Sequence, residues 1–209
     1  MLYVTRLHQL LGLLMLLPIL GWVITGVLFF IKPGYQAAYE NLTVKTYPLD
    51  ANLNVQPEAD WQELRLMRTV LGHHLLVQQQ DQLRHLDPLT LQPFSPSLAQ
   101  TSLLVNEAMA ANPQRYGSLI QWDGRQGLTS TGIELSLDWE QLSLRQLGPD
   151  TRRINLWYKI HYLQWTPFKA LNQVLGMMGL GILFLVSVCG GYMYWRRRKL
   201  ALSRQQSVR

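Results

Sequence analysis

The sequence predicts a membrane protein in which two transmembrane α-helices flank a small extracytoplasmic α+β domain. Two uncharged apolar segments, residues 10–31 and 174–195, lie near the ends of the chain, and a basic tail follows the second. Each segment has 22 residues, which makes a helix about 33 Å long, enough to cross a hydrocarbon core of about 30 Å. The segment between them mixes polar and apolar residues, as a water-exposed domain does.

The first apolar segment resembles a signal peptide only in its position. It is longer than the roughly 7–15 apolar residues of a signal sequence, and Lys32-Pro33-Gly34-Tyr35 is not a small-residue cleavage site. We therefore expect an uncleaved anchor. A pair of buried helices in a soluble protein is the alternative, but buried helices rarely run this far without a charge.

The charge distribution predicts the orientation. The chain carries a net charge of +6, yet all 13 acidic residues lie within residues 33–170, between the two spans. The basic excess lies at Arg6 and Lys32 and in the tail after Trp195, which is typical of cytoplasmic flanks and argues against nucleic-acid binding. Both termini are predicted to be cytoplasmic, with the loop outside, which means the periplasm if the organism is a Gram-negative bacterium. The single cysteine, Cys189, excludes an intrachain disulfide.

Five segments follow from these patterns: an N-terminal cytoplasmic end with the first transmembrane helix (1–32), a periplasmic α+β domain (33–149), an amphipathic interfacial helix (150–170), the second transmembrane helix (171–195) and a basic cytoplasmic tail (196–209).

Within the loop, turn residues and apolar periodicity predict one sheet with one or two helices on a face. The predicted elements are a stalk or irregular strand region (33–60), a helix (61–71), strands (75–80 and 83–86), a helix (97–112) and strands (116–122, 133–138 and 141–147). The pair Asp123-Gly124 is a hairpin signal.

The stretch NLWYKIHYLQW, residues 155–165, is predicted to be an amphipathic helix at the outer membrane interface. Four aromatic side chains, Trp157, Tyr158, Tyr162 and Trp165, surround His161 there. Tryptophan and tyrosine prefer such interfaces.

Short motifs at both spans carry a family resemblance. They are Arg6, His8, Leu11-Gly12 and Thr25-Gly26 in the first helix, and Ile160-His161, Gly176, Gly179, Gly181 and Trp195-Arg196-Arg197 around the second. In order and spacing they resemble the PepSY-associated transmembrane proteins, of which this chain would be a short two-span member. The resemblance implies that the outer domain is of PepSY type and that the protein lies in the inner membrane.

The resemblance also implies a function. Larger members have four or more spans, and some reduce ferric siderophores with haem b held by histidines. The expectation is therefore electron transfer through haem b in iron uptake. This chain has two spans, lacks the later family histidines and has Gly190-Gly191 where Thr-Gly is expected in the second helix.

The expected haem-iron ligands are His8 and His161, with Arg6 pairing with a propionate. The two histidines lie at opposite ends of antiparallel helices, so one chain cannot clamp one haem between them. A symmetric homodimer would bring two copies of each histidine together. Small residues for close helix packing are present: Gly21, Thr25, Gly176, Gly179, Ser187 and Gly191. The alternative is that both histidines are ordinary interfacial residues.

No catalytic residue is predicted, and whether the chain is an enzyme is left open. Adjacent His73 and His74 point to opposite faces of a strand, and a turn separates His85, so no clean metal geometry follows. Two other functions remain open: a membrane-anchored module that binds or regulates a periplasmic partner, and an accessory subunit of a larger reductase. The expected partners are the lipid bilayer, a second copy, and a reductase or periplasmic protein.

Overall fold

The computed structural model describes residues 2–49 and 53–206, and the chain divides into two compact units. The helical unit comprises Met1–Pro33 and Arg153–Arg209, and the sheet unit comprises Gly34–Arg152. The helices are α1 (Leu2–Ile31), α2 (Tyr35–Ala38), α3 (Leu98–Met109), α4 (Pro113–Tyr116), α5 (Pro149–His161) and α6 (Lys169–Gln206). The strands are β1 (Trp61–Thr69), β2 (Gly72–Gln79), β3 (Gln82–Leu86), β4 (Leu119–Trp122), β5 (Gln126–Thr129), β6 (Glu134–Asp138) and β7 (Ser143–Leu147).

Two long apolar helices therefore flank a small α+β unit, as the sequence predicts. Over Tyr3–Ile31 and Lys169–Ser203, α1 and α6 are long and apolar enough to cross a membrane. Only 11% and 6% of their most apolar windows are buried, whereas the core helix of a soluble protein is mostly buried. The helices pack antiparallel, because His8 lies beside Gly190 while Trp22 lies beside Gly179. Arg209, in the predicted basic tail, lies outside the described residues.

The sheet unit contains two antiparallel sheets, so the prediction of one sheet is wrong. The first has the order β1-β2-β3 and the second the order β4-β5-β6-β7. Each is a meander of consecutive hairpins. The β2–β3 turn uses Gln80 and Asp81, both with positive φ, the backbone form that two-residue hairpin turns require.

The predicted helix over residues 61–71 is a strand, β1. Its apolar residues recur at the three- and four-residue spacing of a helix. In the structure, however, β1 pairs along its length with β2, from Trp61↔Gln79 to Thr69↔Gly72. The positive φ of Gly72, 105°, serves the hairpin that joins the strands and does not end a helix. Tertiary pairing thus overrides local propensity here.

The second sheet is close to the prediction but contains one more strand. The hairpin at Asp123-Gly124 joins β4 to β5, and the sequence Gln-Gly-Leu-Thr of β5 was too short and polar to be predicted. The predicted helix over 97–112 is confirmed as α3. Ser97 caps it in a reciprocal capping box with Gln100, which satisfies two otherwise unpaired backbone N–H groups.

One apolar core joins the two sheets and α3. It includes Leu76 from the first sheet, Leu104 and Val105 from α3, and Leu135 and Leu144 from the second sheet. Beneath the other face of the first sheet lies a smaller cluster of Leu75, Val77 and Leu86.

The predicted stalk is part of this core. Ala38, Leu42 and Val44 are buried, and Tyr47 pairs with Arg68 of β1. Apart from α2, the described part of the segment is irregular, and it packs on the domain instead of standing clear of it as a stalk would. Residues 50–52 of the predicted stalk lie outside the described residues.

Candidate functional site

His161 ends α5 and lies against α1 within the helical unit. Trp22, Thr25 and Phe29 follow one another at helical spacing, so they share one face of α1. The indole of Trp22 donates to the His161 carbonyl oxygen (2.6 Å), and the Thr25 hydroxyl lies 2.8 Å from His161 Nδ1. The Phe29 ring packs edge-on to the imidazole with centroids 5.0 Å apart. His161 is therefore held at three points: its backbone carbonyl oxygen, its Nδ1 atom and one edge of its ring.

These contacts fix the tautomer of His161. The Thr25 hydroxyl has one hydrogen, and it lies 2.5 Å from the Gly21 carbonyl oxygen, which can only accept. Thr25 Oγ1 therefore accepts from His161 Nδ1–H, which leaves Nε2 as the ring nitrogen that can offer a lone pair. An imidazole that binds a metal through Nε2 needs this arrangement: an Nδ1–H bonded to an acceptor that orients the ring.

Small residues allow the close approach of α5 and α6 to α1. A Cβ on Gly21 would lie 3.2 Å from Ile160 Cγ2, and one on Gly179 would lie 2.8 Å from Leu163 Cδ1. Thr25 is also buried. Three of the six small residues expected to serve dimer packing are thus used inside the chain. Gly191, by contrast, has open space where a Cβ would stand.

His8 lies at the other end of the helix pair, beside α6. A Cβ on Gly190 would lie 3.3 Å from His8 Cε1, so the glycine makes room for the ring. His8 Nδ1 is buried and has no hydrogen-bond partner among the described residues. Arg6 is exposed on the same end of α1. Because 17 residues separate His8 from Thr25, the two histidine sites lie about 26 Å apart along the helix.

The two expected haem ligands therefore fit unequally. His161 has an acceptor for Nδ1–H and an oriented lone pair on Nε2, as an axial ligand needs. His8 has room beside Gly190 but no acceptor for its Nδ1 within the described chain.

The sheet unit contains a second histidine arrangement that sequence reasoning missed. His74 of β2 and His85 of β3 are both buried, and their nearest nitrogens, Nδ1 of His74 and Nε2 of His85, lie 2.9 Å apart. His74 Nε2 lies 2.7 Å from the hydroxyl of Thr69, and His85 Nδ1 lies 2.8 Å from the carbonyl oxygen of Trp139. We call Thr69, His74, His85 and Trp139 the histidine chain.

The end groups set the direction of every bond in the histidine chain. The Trp139 carbonyl can only accept, so His85 donates from Nδ1 and accepts at Nε2 from His74 Nδ1–H. Thr69 then donates to His74 Nε2, while the Leu71 N–H donates to Thr69. Both imidazoles are neutral in this order. Burial is the main cause of a lowered pKa for both, to about 4 for His74, with a further contribution from the charge of His85.

The neighbourhood of the histidine chain is aromatic and charged at its edge. Phe94 stacks on His74 and Trp139 stacks on His85, with centroids 5.2 and 4.3 Å apart. Above them an open groove of about 760 Å³ is lined by β3, the Pro93–Pro96 segment and the loops at Asp123 and Trp139. Both ring nitrogens of His85 are engaged within the fold, so this histidine supports the groove and does not offer a ligand to it.

Arg115 forms a polar cluster elsewhere in the sheet unit. Its guanidinium donates to Asp150 (2.9 Å) and Gln146 (2.7 Å), and its Nε lies 3.6 Å from Glu40. Burial alone would raise the pKa of Asp150, but the hydrogen bonds from Arg115 and from the Thr151 N–H outweigh it, so the pKa is lowered. The cluster joins the beginning and the end of the sheet unit.

Among residues 2–49 and 53–206, no group of three or more His, Cys, Asp or Glu side chains forms a metal-binding cluster. Histidines 74 and 85 thus meet as a pair, without a third ligand.

No protein-family model matches the chain, and neither the curated proteins nor the solved structures include a significant match.

Proposed function

We propose that the chain is a two-span protein of the bacterial inner membrane that carries electrons through haem b, in support of ferric siderophore reduction or a similar step of iron uptake. One observation carries the proposal: Thr25 holds His161 in the tautomer whose Nε2 lone pair suits an axial iron ligand. The link to siderophores comes from the motif resemblance to PepSY-associated proteins.

Membrane insertion accounts for the exposed surface of the helical unit. Its apolar side chains are largely exposed along both long helices, and the bilayer is the solvent that such a surface requires. The termini are assigned to the cytoplasm because Arg6 and the Arg196–Lys199 run lie at one end of the helix pair. The sheet unit would then be periplasmic.

In this proposal His161 from each of two copies of the chain would hold one haem, and His8 from each copy would hold a second, with Arg6 near enough in sequence to pair with a propionate. The haem iron supplies one-electron redox chemistry. The protein orients the imidazole through Thr25 and Trp22, and the Phe29 ring packs against one edge of it. The proposed fit is better at His161 than at His8.

The test is the absorption spectrum of the full chain, made in a haem-replete host and purified in mild detergent. We expect a Soret band and, on reduction, the α-band of low-spin haem b. His161→Ala should remove the haem held by that histidine and so halve the haem-to-chain ratio, leaving only the haem at His8. Thr25→Val should weaken or shift the band of the His161 haem, while His73→Ala, in the sheet unit, serves as the matched control. A folded, colourless wild-type protein would refute haem binding.

The second candidate function is that of an anchored binding module. It is favoured by the open groove of about 760 Å³ in the sheet unit, which combines the Trp139 ring with charged side chains at Arg84, Arg125 and Glu140. This function would not depend on His8 or His161. Retention of biological activity by the His161→Ala variant, together with loss on changing Trp139 or Arg84, would favour it over electron transfer.

A further inference from the structure

A cleft at the His161 end of the helical unit has the lining of an amphiphile site. It lies between the segment that follows α5 and the first three turns of α6, and it is an open cleft of about 600 Å³. The linking loop is fixed by two side chains: Thr166 N–H donates to Asn172 Oδ1 (3.0 Å) and Asn172 Nδ2 donates to the Thr166 carbonyl (2.8 Å). The cleft wall is therefore built in advance of any ligand.

One half of the cleft is polar and carries a positive charge. Its side chains are those of Tyr162, Gln164, Lys169 and Gln173. Each of them has at least one N–H or O–H donor, and Lys169 adds a full charge. A phosphate group, with several acceptor oxygens and a negative charge, is the ligand class that such donors suit.

The other half is apolar and follows one face of α6. Gly176, Met177 and Leu180 line it, and Leu180 lies about 16 Å further along the helix than Lys169. Met177 and Leu180 are 75% and 63% exposed. A ligand that fills both halves must therefore carry an acyl chain as well as an anionic head.

The helical unit carries positive charge with no acidic side chain of its own. Residues 1–33 and 153–209 contain no aspartate or glutamate. Four cations nevertheless lie toward the His161 end: Lys32, Arg153, Lys159 and Lys169. Since the outer flanks of membrane proteins are ordinarily depleted of lysine and arginine, these cations are unexpected in the proposed orientation unless lipid phosphates neutralise them.

We propose that this cleft binds one anionic phospholipid, with its phosphate at Lys169 and one acyl chain along Gly176 and Leu180. The proposal rests on the membrane insertion assigned above, and it is independent of haem. It gives the helical unit a lipid contact next to Tyr162, the neighbour of His161, so that a bound lipid would stiffen the end of α5.

The experiment uses the full chain in mixed micelles that contain equal amounts of phosphatidylglycerol and phosphatidylcholine. Native mass spectrometry then counts the lipids that stay bound. We expect one phosphatidylglycerol per chain, preferred over phosphatidylcholine. Lys169→Gln should lower that preference about fivefold, the factor that corresponds to about 1 kcal/mol per basic residue at an anionic lipid surface. Lys199→Gln, in the basic tail, should leave it unchanged.

A matched glycine pair tests the apolar half. A Cβ on Gly176 would have only the Tyr162 carbonyl oxygen nearby, at 3.7 Å, so Gly176→Leu should fold and fill the cleft. Gly181→Leu, on the same helix, enters open space outside the cleft. We expect lipid loss in the first variant and retention in the second. Equal retention in both, or release by inorganic phosphate alone, would overturn the proposal.

Alkaline extraction of membranes separates this failure from failure of the proposed function. A chain that carbonate removes from the membrane is not inserted, and the two-span assignment fails. A chain that resists extraction but shows no preference for phosphatidylglycerol, whether or not it holds haem, refutes the lipid site alone.

Discussion

Lowering the pH from 7 to 5 should destabilise the sheet unit through His74. The pKa of this buried imidazole is about 4, against an ordinary value of 6.5, so the fold favours the neutral form. Its contribution to stability is complete above pH 6.5 and is lost as the pH falls toward 4. The pKa of His74 is thus about 2.5 units lower in the folded than in the unfolded protein, and at about 1.4 kcal/mol per unit this shift corresponds to between about 3 and 4 kcal/mol of stability.

About 2 kcal/mol of this loss should fall between pH 7 and pH 5, above the range in which most carboxylates titrate. The structure gives the reason: a proton on His74 Nε2 would meet the Thr69 hydroxyl, which already donates to that nitrogen and accepts from Leu71 N–H. The nearby charges act in opposite directions, since His73 lowers the pKa of His74 and Asp87 raises it.

The assay is amide hydrogen exchange of the full chain in detergent, read on peptides from β2 and β3 after correction for the intrinsic rate. The wild type should lose protection equivalent to about 2 kcal/mol between pH 7 and 5. His74→Gln, which retains a donor and an acceptor, should lose much less. His73→Gln should keep most of the wild-type loss, because it removes only a smaller contribution to the lowered pKa of His74 and leaves the burial of that ring unchanged. Equal losses in the wild type and His74→Gln would refute the reasoning, as would a directly titrated His74 with a pKa near 6.5.

Three further changes test the packing of the sheet unit. Arg115→Met should cost about 3 kcal/mol of unfolding free energy, because it leaves the partly buried Asp150 carboxylate without its cation; the double variant with Asp150→Asn should recover part of the loss in urea unfolding, and full additivity would contradict this coupling. Gly117→Ala should cost about 2 kcal/mol, because φ is 62° and a Cβ would collide with the Ser130 hydroxyl; an unchanged thermal midpoint would contradict it. Ser97→Ala removes the cap of α3 and should cost about 1 kcal/mol, with Ser97→Asp retaining stability.

The order of the apolar helices and several elements of the sheet unit could be predicted, because each has a signal in its own stretch of sequence. The two apolar helices, the helix that starts at Ser97 and the Asp123-Gly124 hairpin each have a local signal: length without charge, a capping residue, or a turn pair. Each of these signals lies within the element that it predicts, so it can be recognised without knowing which other segments that element contacts.

The errors have a common physical cause, which is pairing between segments of the chain that no signal within one segment reveals. β1 has a helix-like apolar spacing, and only its hairpin with β2 makes it a strand. His74 and His85 meet because β2 and β3 pair with Leu76 opposite His85, a register that no single-sequence signal specifies. The tautomer of His161 depends likewise on Thr25, 136 residues away in the chain. The sequence supplied the candidate histidine, and the fold supplied its acceptor.

The Ala38 carbonyl accepts hydrogen bonds from both Gln146 and Thr151, and Thr151 is 113 residues further along the chain. Closing a loop of this length costs about 4 kcal/mol of chain entropy. The stacking of Phe29 on Tyr158 within the helical unit already tethers the two ends of that loop. The sheet unit therefore folds as a nearly circular polypeptide, and the helix pair plays the part that a disulfide plays in a small secreted domain. A single cut in the chain near Pro33 would open the circle and lower the stability of the sheet unit while leaving its covalent sequence and its core intact.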